Sequence, residues 1–281
     1  MTCRELTQRL RRAGIEEAAG EARWLAAHCT GLSDAWLCAH PDSPLPDGEG
    51  KLERTVGQRE ARIPLQYIIG VWPFWRQEYE VSPDCLIPRS DTELLLETAL
   101  EYLPEGGRFL DLCTGSGCLA VSLCCERPDA VGTAVELVPR TLELARRNAG
   151  RNGVSPGRLC FCCGDVLRGE FPGERGPFSV ILSNPPYIPT RDLEGLSPEV
   201  HREPRIALDG GADGVTFYRR LLSGADYRAA LAEDGCFLFE IGYDQGEAIG
   251  TLAEKYGYTC RIRKDLGGND RVAIVRPLHT L

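Results

Sequence analysis

The residues best suited to chemistry in this chain of 281 are the tetrapeptide Asn184-Pro185-Pro186-Tyr187. A carboxamide both donates and accepts, prolyl carbonyls only accept, and tyrosine adds an aromatic face. Such a set can hold a planar amide, or an amino-heterocycle, by its NH₂ group. The preceding run Val180-Ile181-Leu182 is apolar, as in a strand buried on both faces. Two consecutive prolines cannot donate to a ladder. The tetrapeptide is therefore expected to form a stiff loop at the carboxyl end of a central strand, the edge where open α/β sheets bind ligands. Taken alone, the same residues also read as a proline-stiffened turn with an ordinary Asn cap.

A second constellation, Phe109 to Gly117 (F-L-D-L-C-T-G-S-G), has the order strand, turn, helix. Gly115 and Gly117 allow positive φ and a close approach of backbone to a ligand. Asp111, at the strand end, can accept from an ammonium. Glu136, at the end of the next strand, can accept both hydroxyls of a ribose. Asp165, in Gly164-Asp165-Val166 after a third strand, can accept from the exocyclic amine of adenine or simply cap its loop. The set fits adenosine with an amino-acid tail. The pattern Gly115-x-Gly117-x-x-Ala120 also half-fits a dinucleotide fingerprint. Asp111 would repel a pyrophosphate there, and the antiparallel hairpin expected at the end of the chain is foreign to that domain. In Ile87-Pro-Arg-Ser-Asp-Thr-Glu93, Asp91 or Ser90 is placed to cap a helix running to Tyr102. Arg89, just before it, is either a solvated charge or a substrate-side cation.

These stretches need a scaffold, and the chain supplies a regular one. Capping-box form at Thr2-Cys-Arg-Glu5 opens a helix, a second runs from Ile15 to Cys29 and stops at Gly31, and Ser33-Asp34 opens a third. Helical character returns from Lys51 to Arg62. Residues 64–88 turn aromatic and β-branched and read as a β-hairpin whose aromatic cluster is interdomain core. From there strand and helix alternate: strands at 108–112, 131–135, 158–163, 178–182 and 235–241, helices at 118–125, 139–148, 217–231 and 245–256. Two strands, 258–263 and 271–275, close the chain as an antiparallel hairpin. The fold class is α/β, a doubly wound seven-stranded sheet, plus a small all-α N-terminal domain. The expected domains are 1–70, 71–88 as a hairpin linker, and 89–281.

Composition excludes several functions. The net charge is −9, which disfavours general nucleic-acid binding because phosphate neutralisation needs a basic surface. No apolar run approaches a membrane span and the N-terminus has no apolar signal core, so a cytoplasmic protein without membrane partners is expected. Thirteen cysteines, an odd number, argue against a disulfide framework. The one C-x-x-C, Cys160 and Cys163, falls in a strand where its two residues face opposite ways, and no second pair at zinc spacing completes it. No metal is expected.

In the order of D-L-C-T-G-S-G, a strand-two acid, G-D and N-P-P-Y, the chain resembles class I S-adenosylmethionine-dependent methyltransferases. With I-P-R-S-D-T-E, A-L-D-G-G-A-D-G (Ala207 to Gly214) and G-G-N-D-R-V (Gly267 to Val272), it resembles the release factor glutamine methyltransferases (PrmC/HemK) over nearly its whole length. The resemblance implies S-adenosylmethionine as cofactor, and methylation of the glutamine in the Gly-Gly-Gln loop of class I peptide chain release factors by a monomer. It places the cofactor loop on Cys113, Thr114, Gly115, Ser116 and Gly117, the ribose acid on Glu136 and the adenine neighbour on Val166. The substrate clamp falls on Asn184 to Tyr187, with Asn184 also at the cofactor, and the N-terminal helices become a docking surface for the release factor. Cys113 stands where the family has glycine, Glu136 where Asp is common, Ser90 where Pro is common, and Val166 where an aromatic can stack. A Cβ at 113 is expected to narrow the methionine pocket. Two rivals are an amino-methyltransferase of nucleic acid, which would want a basic recognition face, and a non-catalytic adaptor, which could lose Asn184 or Gly115 freely.

Overall fold

The computed structural model describes residues 1–278, so His279 to Leu281 of the expected last domain lie outside the described residues. The chain forms two compact units, one of 1–71 with 197–202 and one of 72–196 with 203 onwards.

In the first unit, α1 (Cys3–Arg12) opens with a reciprocal capping box: the Thr2 hydroxyl accepts from Glu5 N, and the Glu5 carboxylate accepts from Thr2 N at 2.8 Å. The second helix, α2 (Ala18–Thr30), ends at Gly31 with φ 73° and buries Ala18, Ala22, Leu25 and Ala26. Its small residues allow α1 and α4 (Lys51–Glu60) to pack closely against it, with α3 (Asp34–Ala39) alongside. The Arg59 side chain is buried, and a buried cation requires partners. It has Glu21 at 2.5 Å and Glu199 at 2.8 Å, and Arg62 also pairs with Glu199 at 2.7 Å. Those pairs place the short segment 197–202 with the helices, which a single boundary near residue 70 does not anticipate.

Residues 65–69, expected in the hairpin, instead form a helix, α5 (Leu65–Ile69). Pro64 opens it and Gly70, at φ 80°, closes it, so local punctuation overrides the β propensity of Tyr67-Ile68-Ile69. The hairpin is shorter, β1 (Val71–Phe74) and β2 (Gln77–Glu80). Phe74 and Tyr79 belong to the core of the second unit, where the Tyr79 hydroxyl and Ser122 Oγ share a hydrogen bond of 2.6 Å.

The second unit runs α6 (Thr92–Tyr102), β3 (Arg108–Leu112), α7 (Cys118–Glu126), β4 (Val131–Glu136), α8 (Pro139–Arg151), β5 (Leu159–Cys163), β6 (Phe178–Ser183), α9 (Thr216–Ser223), α10 (Ala225–Ala230), β7 (Leu231–Glu240), α11 (Gly246–Lys255), β8 (Tyr258–Lys264) and β9 (Asp270–Pro277). The sheet order is β5-β4-β3-β6-β7-β9-β8, parallel except for β9, which is antiparallel to β7 and β8. The single helix expected over 217–231 is broken at Gly224, whose backbone is extended. Strand β6 alternates between two cores, Val180 and Leu182 facing one and Ile181 the other, so the sheet is covered on both faces. The order reverses between β3 and β6, a switch point whose carboxyl edge opens a crevice. Neither Asp91 nor Ser90 caps α6 from its side chain, contrary to expectation; Asp91 instead pairs with Arg271 at 3.3 Å. Among the described residues, no helix is long and apolar enough to cross a membrane and no cluster of three His, Cys, Asp or Glu could hold a metal.

Candidate active site

A cavity of about 650 Å³ lies over the carboxyl ends of β3, β4 and β6 in the second unit. That volume suits a nucleoside with an amino-acid tail. The turn after β3 lines it with Cys113, Thr114, Gly115 and Ser116, and the strand ends and loops beyond add Glu136, Asp165 and Val166. Arg89, Asn184 and Pro186 complete the expected residues found there.

The turn is held from below. Asp111 is fully buried and not in the cavity wall; its Oδ2 accepts from the Thr114 hydroxyl, while Oδ1 has no partner in the protein. Burial pushes its carboxyl up to about 7. A ligand ammonium close above would both use the free acceptor and favour the charged form. Cys113 adopts φ 61°, a left-handed conformation that suits glycine, and burial raises its thiol. Gly115, at φ 56°, lines the cavity and has no protein atom within 4 Å of where a Cβ would stand. Gly117 serves differently from the expectation: a Cβ there would come within 3.1 Å of Ala145 Cβ, so the residue lets α7 and α8 pack rather than facing a ligand.

Glu136 is clamped by two backbone amides, Gly115 N to Oε2 and Val138 N to Oε1, each at 3.0 Å. Burial raises its carboxyl despite those bonds, and two ribose hydroxyls would relieve the cost. Replacing Glu136 with Ala is expected to weaken cofactor binding by roughly 1–3 kcal/mol, the scale of hydrogen bonds to a charged group. Calorimetry giving equal dissociation constants for variant and parent would place the ribose elsewhere. Asp165 does cap its loop, accepting from Leu167 N at 2.8 Å, while also lining the cavity. The acceptors at Glu136 and Asp165, the free oxygen of Asp111 and the space at Gly115 fit the cofactor that the sequence implies.

At the other end, Asn184 Nδ2 donates to Thr92 Oγ1 at 3.2 Å, which leaves the carboxamide oxygen as an acceptor. Pro185 and Tyr187 do not line the cavity. The Tyr187 hydroxyl donates to Glu240 Oε1 at 3.4 Å, behind the clamp rather than in front of it. Arg89 is a partly exposed wall residue paired with the buried Glu203, so it is neither freely solvated nor an unpaired cation. The A-L-D-G-G-A-D-G segment straps the loop through backbone bonds, Ile188 N to Leu208 O at 3.0 Å and Gly210 N to Ile188 O at 2.8 Å. Sequence reasoning missed Thr92 and Glu240. In the sequence Thr92 is part of a helix start and Glu240 the end of an apolar strand, and neither spacing reveals that they meet.

Two family models match the chain, the PrmC N-terminal domain over residues 2–70 and the Methyltransferase small domain over residues 90–196. The chain is similar to the release factor glutamine methyltransferase of Rhodospirillum rubrum, 41% identical over 273 residues that cover 95% of this chain and 82% of that one. It is also similar to the protein of the same name from Geobacter sulfurreducens, 40% identical over 263 residues, covering 92% and 89%. Among solved structures, a methyltransferase from Pyrococcus furiosus superposes with a TM-score of 0.54 at 22% identity, over 78% of this chain and 97% of that one, a likeness of fold alone.

Proposed function

The chain belongs to the release factor glutamine methyltransferase family and is a methyltransferase of the class I fold, and from that premise we propose that it methylates the side-chain amide nitrogen of the glutamine in the Gly-Gly-Gln motif of class I peptide release factors. S-adenosylmethionine, when bound, supplies a methyl group activated by a sulfonium leaving group. The residues for holding it are the Cys113-to-Ser116 turn, Asp111 beneath it, Glu136 at the ribose, and Asp165 with Val166 at the adenine. The observation that carries the reading is Asn184, whose oxygen is left as an acceptor in the cavity wall because its NH₂ is committed to Thr92.

An amide nitrogen is a poor nucleophile because its lone pair is delocalised, so the main task is placement. Asn184 Oδ1, in the cavity wall, accepts from the substrate NH₂ and aims the nitrogen at the methyl. Pro186 contributes a rigid wall. No strong base is required before transfer, since the bound NH₂ keeps its protons until the new N–C bond makes them acidic, when one passes to water. Action on protein rather than nucleic acid, by a cytoplasmic monomer in this reading, accords in its substrate class with the acidic charge. Label from the cofactor appearing in an intact release factor, and not in RNA or DNA, tests the substrate class.

A single glutamine side chain offers little binding area, so an intact release factor needs further contacts. The helices of 1–70 are the proposed docking surface. A chain starting near Pro64 is expected to bind cofactor and to methylate a short Gly-Gly-Gln peptide much as the parent does, while losing most activity on the intact release factor. Equal losses on both substrates with cofactor binding preserved would mean that the helices act on the active site instead.

A further inference from the structure

Behind the Asn184-to-Tyr187 loop lies one acid that the mechanism above does not use. Glu240, the last residue of β7, is 1% exposed. It meets the Tyr187 end of the clamp directly and lies near Thr92, which holds the Asn184 end. The Tyr187 hydroxyl donates to its Oε1 at 3.4 Å. The Thr92 hydroxyl, which accepts from Asn184 Nδ2, lies alongside and favours its charged form, while Oε2 has no hydrogen-bond partner. Arg271 on β9 also favours the charge and Asp91 before α6 opposes it; Arg271 itself pairs with Asp91 and Asp265.

We propose that Glu240 is a positioning residue that fixes which way round Asn184 presents its carboxamide. The inference rests on the clamp reading of Asn184. A hydroxyl has one proton. A carboxylate beside Thr92 can only accept, so the Thr92 proton turns toward Glu240 and Thr92 Oγ1 is left to accept from Asn184. The Asn184 NH₂ is then held inward and its oxygen faces the substrate amide. A neutral acid at 240 can point its own proton at Thr92. The Thr92 proton is then free to turn to Asn184, the carboxamide can rotate, and its NH₂ would oppose the substrate's NH₂, donor against donor. The same carboxylate orients the Tyr187 hydroxyl, so one charge sets both ends of the loop.

Burial pushes the Glu240 carboxyl up to about 7, with the hydroxyls and Arg271 pulling against it and Asp91 adding to it. The charged form is populated above that value, so the turnover it supports is present at high pH and lost as pH falls through neutrality. The test compares kcat against pH, at saturating cofactor and Gly-Gly-Gln peptide, for the parent, Glu240→Gln, Thr92→Val and the double variant, with cofactor affinity measured alongside. Expected are a tenfold or greater loss of kcat at pH 8 in each single variant, no further loss in the double, disappearance of the limb near neutrality in all three, and unchanged cofactor affinity. Thr92→Ser, which keeps the hydroxyl, should lose less than Thr92→Val. Parent-like kcat and pH profile in Glu240→Gln, or additive losses, would overturn the proposal. If Glu240→Gln does not fold, a neutral limb persisting in Thr92→Val overturns it equally. Asn184→Ala, run beside these, separates the two readings: if it is fully active the clamp itself fails, whereas an inactive Asn184→Ala with a normal Glu240→Gln rejects only the role of Glu240.

Discussion

Asn184→Ala is expected to fold and bind cofactor like the parent, and to turn over at least about a hundredfold more slowly. The change removes the side-chain acceptor that the proposed clamp sets against the substrate amide. It leaves Glu136 and its two backbone bonds untouched. Asn184 is only half-buried and its single protein bond is to Thr92, so the folded state loses little. With that acceptor gone, the substrate NH₂ is free to pivot, and the nitrogen lone pair is no longer aimed. The loss should therefore fall on kcat at saturating peptide. A turnover number equal to the parent's would show that the tetrapeptide does not orient the substrate.

Gly210→Ala should be nearly as damaging, although residue 210 supplies no side chain to any step. A Cβ there would stand 2.7 Å from Tyr187 Cα, 2.8 Å from Tyr187 C and 2.9 Å from Pro186 O. These are backbone atoms, so they cannot rotate out of the way. The backbone bond from Gly210 N to Ile188 O, at 2.8 Å, holds the two segments together as the methyl forces them apart. Relief requires a shift of several tenths of an ångström or more in the loop that carries Asn184. Misplacement on the order of 1 Å costs about a hundredfold in rate where positioning dominates. The expected outcome is a fall in kcat of about that size, with cofactor affinity retained because the Cys113-to-Ser116 turn lies elsewhere in the wall. An Ala variant with parent kinetics would mean that the strap does not hold the clamp.

Both variants concern features of unequal legibility. The apolar run of β6 and the two prolines after it announce a buried strand ending in a rigid loop, and the structure puts that strand between β3 and β7. Helix starts with local signatures, such as Thr2 and Ser33, are equally readable. What the sequence does not carry is three-dimensional partnership. Asp91 looks like a cap and is an ion-pair partner of Arg271, 180 residues away in the chain's later hairpin. Gly117 looks like a ligand-facing glycine and is a packing glycine against Ala145. Tyr67-Ile68-Ile69 look like a strand and become one turn of helix because Pro64 and Gly70 bracket them. Asp111 is recognisable as a candidate, but its burial beneath the turn, and hence its raised pKa, is a product of the folded packing. In each case the residue type is informative and its contacts are set by elements remote in sequence.

The central claim is that one glutamine side chain is the methyl acceptor. It is tested most directly by incubating the chain with labelled S-adenosylmethionine and an intact class I release factor, then mapping the label by fragment mass analysis. The account predicts a single added methyl on the side-chain nitrogen of the Gly-Gly-Gln glutamine, absent when Asn184→Ala replaces the parent for the same time. A methyl mapped to any other residue, or a Gly-Gly-Gln glutamine left unmodified by a chain that binds cofactor, would contradict it.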